Sequence, residues 1–111
     1  MGVRRRHRAL PQVTAVLAYN SYLALGLLHG LTATGRRVPE DIILAAADDL
    51  GTLGGTTPPL TALDVPLEDA GALAVTRLHD LLAGRRRPAV SRLPARPVLR
   101  ASVAAAEPVR T

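Results

Sequence analysis

The sequence predicts an α/β fold built on a parallel sheet. Two apolar runs carry that expectation, Val13–Ala18 and Ile42–Ala47, with a helix-length segment between them. Both are continuous rather than alternating, which suits strands covered on both faces, as in parallel sheets. No tight hairpin turn joins them, so strand, helix and strand read as a right-handed crossover. Asn20 stands just behind the first run and Asp48 just behind the second. In parallel α/β sheets, ligands bind at these carboxyl ends.

The overall composition narrows the field. At 111 residues the chain holds one domain or a piece of one. It has no Phe, no Trp and two Tyr, so its core is built from small aliphatic side chains that bury little area each. With so short a chain, that predicts modest stability. The net charge is +5 and all 14 strong bases are Arg. A basic balance permits contact with nucleic acid or acidic lipid without establishing it. There is no Cys, so disulfides and thiolate chemistry are excluded. No apolar run nears the roughly 20 residues of a membrane helix, and the charged start lacks the apolar segment of a secretory signal. The expected location is cytoplasmic.

Residues 1–12 form a basic segment, with Arg4, Arg5, Arg6 and Arg8 interleaved with no aromatic that could stack on bases. In the helix after Asn20, which runs to Thr34, Ala24, Leu27, Leu28 and Leu31 recur at helical spacing and face the sheet. Gly26 and Gly30 cost helix propensity and allow a close approach to the neighbouring strand. Gly35 fits a left-handed cap, Pro39 prevents the helix from resuming, and Arg36 and Arg37 suit the negative end of its dipole. Asp48–Leu60, with three Gly and two Pro, is a loop. Thr61–Val65 reads as a short strand. Pro66 and the acidic pair Glu68 and Asp69 open a second helix. Its apolar face is Leu67, Ala70, Gly71, Ala74, Leu78, Leu81 and Leu82, Gly84 ends it, and Arg85–Arg87 fit its negative end. Ala89–Leu93 and Val98–Ala101 are short extended segments, held to edge positions by Pro94 and Pro97. Residues 104–111 form a frayed tail.

No catalytic constellation is present, and no enzyme activity, cofactor or metal site is expected. His7, His29 and His79 are scattered, without ligand spacing between them. Ser21 and Ser91 lack a nucleophile elbow. Asp48 and Asp49 leave a strand end pointing to opposite sides, which argues against a shared acid pair. Asn20 and Asp48 suit a different task. A carboxylate accepts from vicinal hydroxyls and an amide both donates and accepts, so the pair is able to hold a sugar or similar polyol. Capping of the adjacent helix and loop is the competing role for the same residues.

Several stretches together resemble the lactose-repressor/galactose-repressor (LacI/GalR) family of bacterial regulators. They are Thr14-Ala15-Val16-Leu17-Ala18-Tyr19-Asn20, Ala24-Leu25-Gly26, Gly35-Arg36-Arg37-Val38-Pro39-Glu40-Asp41-Ile42, Asp48-Asp49, Thr57-Pro58-Pro59-Leu60-Thr61, and Pro66 through Gly71 and Ala74. The similarity is to the C-terminal part of the sensor domain, and it runs through about residues 12–103. The resemblance implies a partial periplasmic-binding-protein-like fold: a parallel sheet with flanking helices, and crossover strands between two subdomains. It makes residues 13–103 a partial sensor domain. It implies that Asn20 and Asp48 contact a small-molecule effector, a sugar or related metabolite. Thr61, Ala62, Leu63, Asp64 and Val65 become a crossover between subdomains, and the helix from Leu67 to Ala83 belongs to the other subdomain. The sequence departs from the family pattern at Ser21, where Asp is usual, and at Ala46 and Ala47, where Gly and an aromatic are usual. Less than half of a full regulator is expected here. Operator DNA would be met only through the N-terminal domain, and the full-length parent would be a homodimer. A truncated sugar-binding protein of transport and a small basic nucleic-acid-binding module using Arg4–Arg8 are the alternatives.

Overall fold

The structure, a computed structural model, describes residues 12–104. The basic segment with its Arg run and His7 lies outside them, as does nearly all of the expected tail. A four-stranded sheet carries the fold in the order β1 (Ala15–Ala18), β2 (Ile43–Ala46), β3 (Thr61–Asp64), β4 (Arg96–Val98). β1 and β2 are parallel through Ala15↔Ile43 to Ala18↔Ala46, and β2 and β3 are parallel at Ala45↔Thr61 and Ala46↔Ala62. β4 returns antiparallel to β3, pairing Leu63 with Pro97. Pro97 is tolerated because β4 lies at the sheet edge, where the missing N–H interrupts no inner ladder. The strand expected at Val98–Ala101 thus begins two residues earlier, and Ala89–Leu93 forms no strand.

Helix α1 (Ser21–Ala33) covers one face of the sheet. Ala24, Leu28 and Leu31 are buried with Val38, Ile42, Leu44, Ala46, Leu53, Leu60 and Ala62, and Leu27 packs partly against them. Fully burying a Leu contributes roughly 1.5–3 kcal/mol, so this layer holds the fold. Gly35 ends the helix with φ of 78°, and the Arg36 N–H closes back on the Leu31 carbonyl at 3.0 Å. Arg36 and Arg37 lie just past the helix, whose last turn holds no basic residue. Arg36 reaches the Val13 carbonyl, and Arg37 pairs with Asp41. A Cβ at Gly26 or Gly30 would meet nothing within 4 Å, so neither glycine is needed for a close approach to the sheet.

The opposite face of the sheet corrects the expectation of strands covered on both sides. Leu17 of β1 is 68% exposed, and Ala15 is exposed beside it. The same holds for helix α2 (Leu67–Leu82). Leu67, Leu78, Leu81 and Leu82 of its apolar stripe are exposed, and its one buried residue is Asp80. The Asp80 carboxylate takes Arg85 at 3.3 Å and Arg87 at 2.8 Å. The Arg run after α2 therefore serves its C-terminal end through one carboxylate, rather than through the dipole alone.

β2 and β3 pair over only two residues, and the gap before their pairing is filled by Ser102. Its hydroxyl donates to the Leu44 carbonyl and accepts from the Thr61 N–H at 2.8 Å. Its backbone N–H donates to Pro59 O at 3.0 Å, and its carbonyl accepts from Leu44 N–H at 3.2 Å. A fully buried serine in this position acts as a one-residue bridge between two strands.

Candidate functional site

Asn20 leaves β1 in extended geometry, and its Oδ1 accepts from the Leu23 N–H at 2.8 Å, capping α1. Such a cap is worth about 1 kcal/mol. The next residue, Ser21, is buried and ties three elements together. Its N–H donates to Asp48 Oδ1 at 2.8 Å, and its hydroxyl donates to the same oxygen with the Asp48 carbonyl at 3.2 Å. The Ser21 hydroxyl in turn accepts from the Leu50 N–H at 3.2 Å. The end of β1, the start of α1 and the end of β2 thus meet at one point. A carboxylate at position 21 would face Asp48 with like charge, whereas the serine supplies donors.

Asn20 and Asp48 are therefore neighbours on the same edge of the sheet, each with one oxygen engaged by α1. Among the described residues, Asp48 Oδ2 and the Asn20 amide nitrogen have no protein partner. Asp49 turns the other way. Its Oδ2 meets Arg100 at 2.6 Å and its Oδ1 accepts from the Gly51 N–H at 3.1 Å. The Arg100 guanidinium holds the Asp49 carboxyl below the usual carboxylate range, against the opposing effect of burial. The two acids do diverge, as a strand exit requires.

A cleft of about 670 Å³ opens beside Asp49 and is lined by Asp64, Glu68, Asp69, Leu93 and Arg96 among others. It lies at the carboxyl ends of β2 and β3 and the start of α2. Neither Asn20 nor Asp48 lines it. His29 and His79 are exposed on separate helices. Among the described residues, no group of three or more His, Asp or Glu gathers as for a metal ion, and no helix is long and apolar enough to cross a membrane.

The parallel sheet with its covering helix is a fold shared with known proteins. The family model for the periplasmic binding protein-like domain matches residues 2–103. The chain belongs to this family. Within it, the lactose operon repressor of Rhizobium radiobacter is 33% identical over 88 residues, covering 79% of this chain and 78% of the relative. The HTH-type transcriptional regulator CelR of Thermobifida fusca is 36% identical over 74 residues, covering 67% of this chain and 22% of the relative. Among solved structures, a LacI family transcriptional regulator from Arthrobacter sp. FB24 in complex with lactose matches at 32% identity and a TM-score of 0.76. That match covers 92% of this chain and 40% of the regulator. The chain thus corresponds to part of a LacI-type sensor domain and spans about a fifth of the Thermobifida relative. These relatives are transcriptional regulators, not enzymes.

Three residues of this periplasmic-binding-protein-like fragment escaped the sequence reading in their long-range roles: Ser21 as the centre of the node, Arg100 as the partner of Asp49, and Ser102 as the bridge between β2 and β3. Their partners lie 27 to 58 positions away, beyond the reach of local pattern. The one available signal was Ser21 itself, a small polar residue directly between Asn20 and an apolar helix.

Proposed function

We propose that this chain is the effector-sensing part of a LacI-type transcriptional regulator, with Asn20 and Asp48 as contacts to a sugar or related metabolite. The observation that supports this most is the Ser21 clasp. It sets an amide and a carboxylate at adjacent parallel strand ends and leaves a donor and an acceptor for vicinal hydroxyls. The lactose held by the Arthrobacter regulator, a structural neighbour, agrees with a polyol ligand. Thr61–Val65, continuous with β3, is proposed as one crossover to the second subdomain, with α2 belonging to that subdomain. Residues 13–103 then make up the sensor part.

In the parent protein, effector binding closes two subdomains and shifts the population competent for operator DNA. That parent is a cytoplasmic homodimer which meets operator DNA through its N-terminal domain. The present chain binds without turning over its ligand and needs no cofactor or metal. The regulator reading is preferred to a transport protein because the relatives at 33% and 36% identity are both regulators.

The test is a titration of the purified chain with lactose and a panel of mono- and disaccharides, followed by nuclear magnetic resonance. With only one wall of a cleft, affinity in the region of 1 mM, about 4 kcal/mol, is expected. Asp48→Ala abolishes the response. Unchanged binding in Asp48→Ala would remove that residue from the site. A salt-resistant shift of operator DNA by this chain alone would refute the division of labour.

A further inference from the structure

The acidic turn carrying Asp48 is held from two sides. On one side Asp48 is clasped by Ser21. On the other, the next residue is held by Arg100, which follows β4 and reaches back over the loop. Arg100 Nη2 donates to Asp49 Oδ2 at 2.6 Å, and Nη1 donates to the Leu60 carbonyl at 2.7 Å. Its own backbone is fixed by Thr61, which accepts from the Arg100 N–H at 2.8 Å and donates to the Arg100 carbonyl at 3.1 Å. The guanidinium lies over Gly54, where a Cβ would stand 3.6 Å from Nε, an ordinary van der Waals contact. Both charges are largely shielded, with 9% of the Asp49 side chain and 20% of the Arg100 side chain exposed.

We infer that Arg100 is a positioning residue for effector recognition: through Asp49 it fixes the 48–51 turn against β3 and thereby sets the direction of the Asp48 carboxylate. Asp48 and Asp49 share a peptide plane, so clamping one restricts the other. A turn held only by the Ser21 clasp would rotate about it, and the unpartnered Asp48 oxygen would lose its aim. The planar fork of Arg suits the task, because two of its nitrogens serve two different acceptors at once. Arg100 also joins the end of β2 to the strand pair β3–β4, so the turn is tied to the segment proposed above as a crossover. The effect on ligand affinity rests on the proposed function, whereas the effect on the turn does not.

The full chain, labelled with ¹⁵N, provides both readouts. Amide exchange at Ser21 and Leu50 reports the turn, and exchange at Leu28 and Leu31 in the middle of α1 reports the fold. In Arg100→Gln, exchange at Ser21 and Leu50 is expected to rise by about tenfold or more while Leu28 and Leu31 hold. Arg100→Lys, which keeps the charge beside Asp49, is expected to recover to within about threefold of the native rates. Turn rates in Arg100→Gln within about twofold of native, or Arg100→Lys as fast as Arg100→Gln, overturn the inference. Should Arg100→Gln raise exchange throughout the molecule, Asp49→Asn decides, because it removes the charge and keeps the shape. Selective acceleration of the turn in Asp49→Asn supports the role, and an unchanged turn refutes it. Lactose titration of the same samples is expected to show affinity falling about tenfold in Arg100→Gln. A native chain that responds to no sugar, with the turn still loosened in Arg100→Gln, sinks the effector reading and leaves the turn's anchor in place.

Discussion

The two helices of this chain each carry an apolar stripe, and the stripes meet different fates. α1 lays Ala24, Leu28 and Leu31 onto the sheet and is capped by the residues that flank it, Asn20 and Thr34. α2 presents Leu67, Leu78, Leu81 and Leu82 outward and buries only Asp80, a carboxylate neutralised by two arginines. Periodicity reports which side of a helix prefers burial. It does not report whether the covering surface is present among the same residues. Both halves obey the same local rules, and only one has a second layer to pack against.

Substitutions in the two stripes should separate most sharply. Leu31→Ala removes a fully buried side chain and is expected to cost about 2–5 kcal/mol. Leu82→Ala, at an exposed site, should fall within about 0.5 kcal/mol of native. Urea denaturation of the two variants measures both, and equal losses would break the contrast between the helices. Next in size is Ser102→Ala. It strips partners from the Leu44 carbonyl and the Thr61 N–H, both inside the packed half, and should cost about 1–3 kcal/mol. A neutral Ser102→Ala would mean that the β2–β3 gap closes without its bridge.

Smaller effects sharpen the account of α1. Gly26→Ala and Gly30→Ala add a methyl into open space within a regular helix, so each should stabilise by about 0.5–1 kcal/mol. A loss at either position would show a close approach that the packing does not contain. The smallest effect is electrostatic. Arg100 keeps the Asp49 carboxyl below its ordinary value. A lowered carboxyl contributes stability that is complete above the unfolded value, near pH 4, and is lost as pH falls through the lowered one. Melting temperature should therefore be nearly level from pH 7 to about pH 5 and decline below about pH 4. Asp49→Asn should flatten part of that decline. Asp41, lowered by its exposed pair with Arg37, contributes in the same window, so Asp41→Asn is the control.

The packed half was largely legible. Continuous apolar runs gave β1 and β2, helical spacing gave the inner face of α1, and Gly35 marked its end. Thr61–Val65 was readable as a strand from its weak alternation, one residue longer than β3. What escaped depended on distance or on missing layers. Ser21, Arg100 and Ser102 act through partners far along the chain, and a lone serine or arginine carries no periodic signal. β4 was displaced because Arg96 and Pro97 look like poor strand residues, and only an edge position admits them. Asn20 and Asp48 were visible as polar residues behind apolar runs. The capping role expected as their alternative is realised, with one oxygen of each serving α1.

Whether the remaining polar groups of that pair serve a ligand is decided by mapping a lactose titration onto the backbone amides of the ¹⁵N-labelled chain, with the saccharide panel alongside. The account predicts that the largest shifts fall on Asn20, Ser21 and Asp48, with α2 silent. Shifts confined to α2 and the 670 Å³ cleft beside it, with Asn20 and Asp48 unmoved, would contradict it.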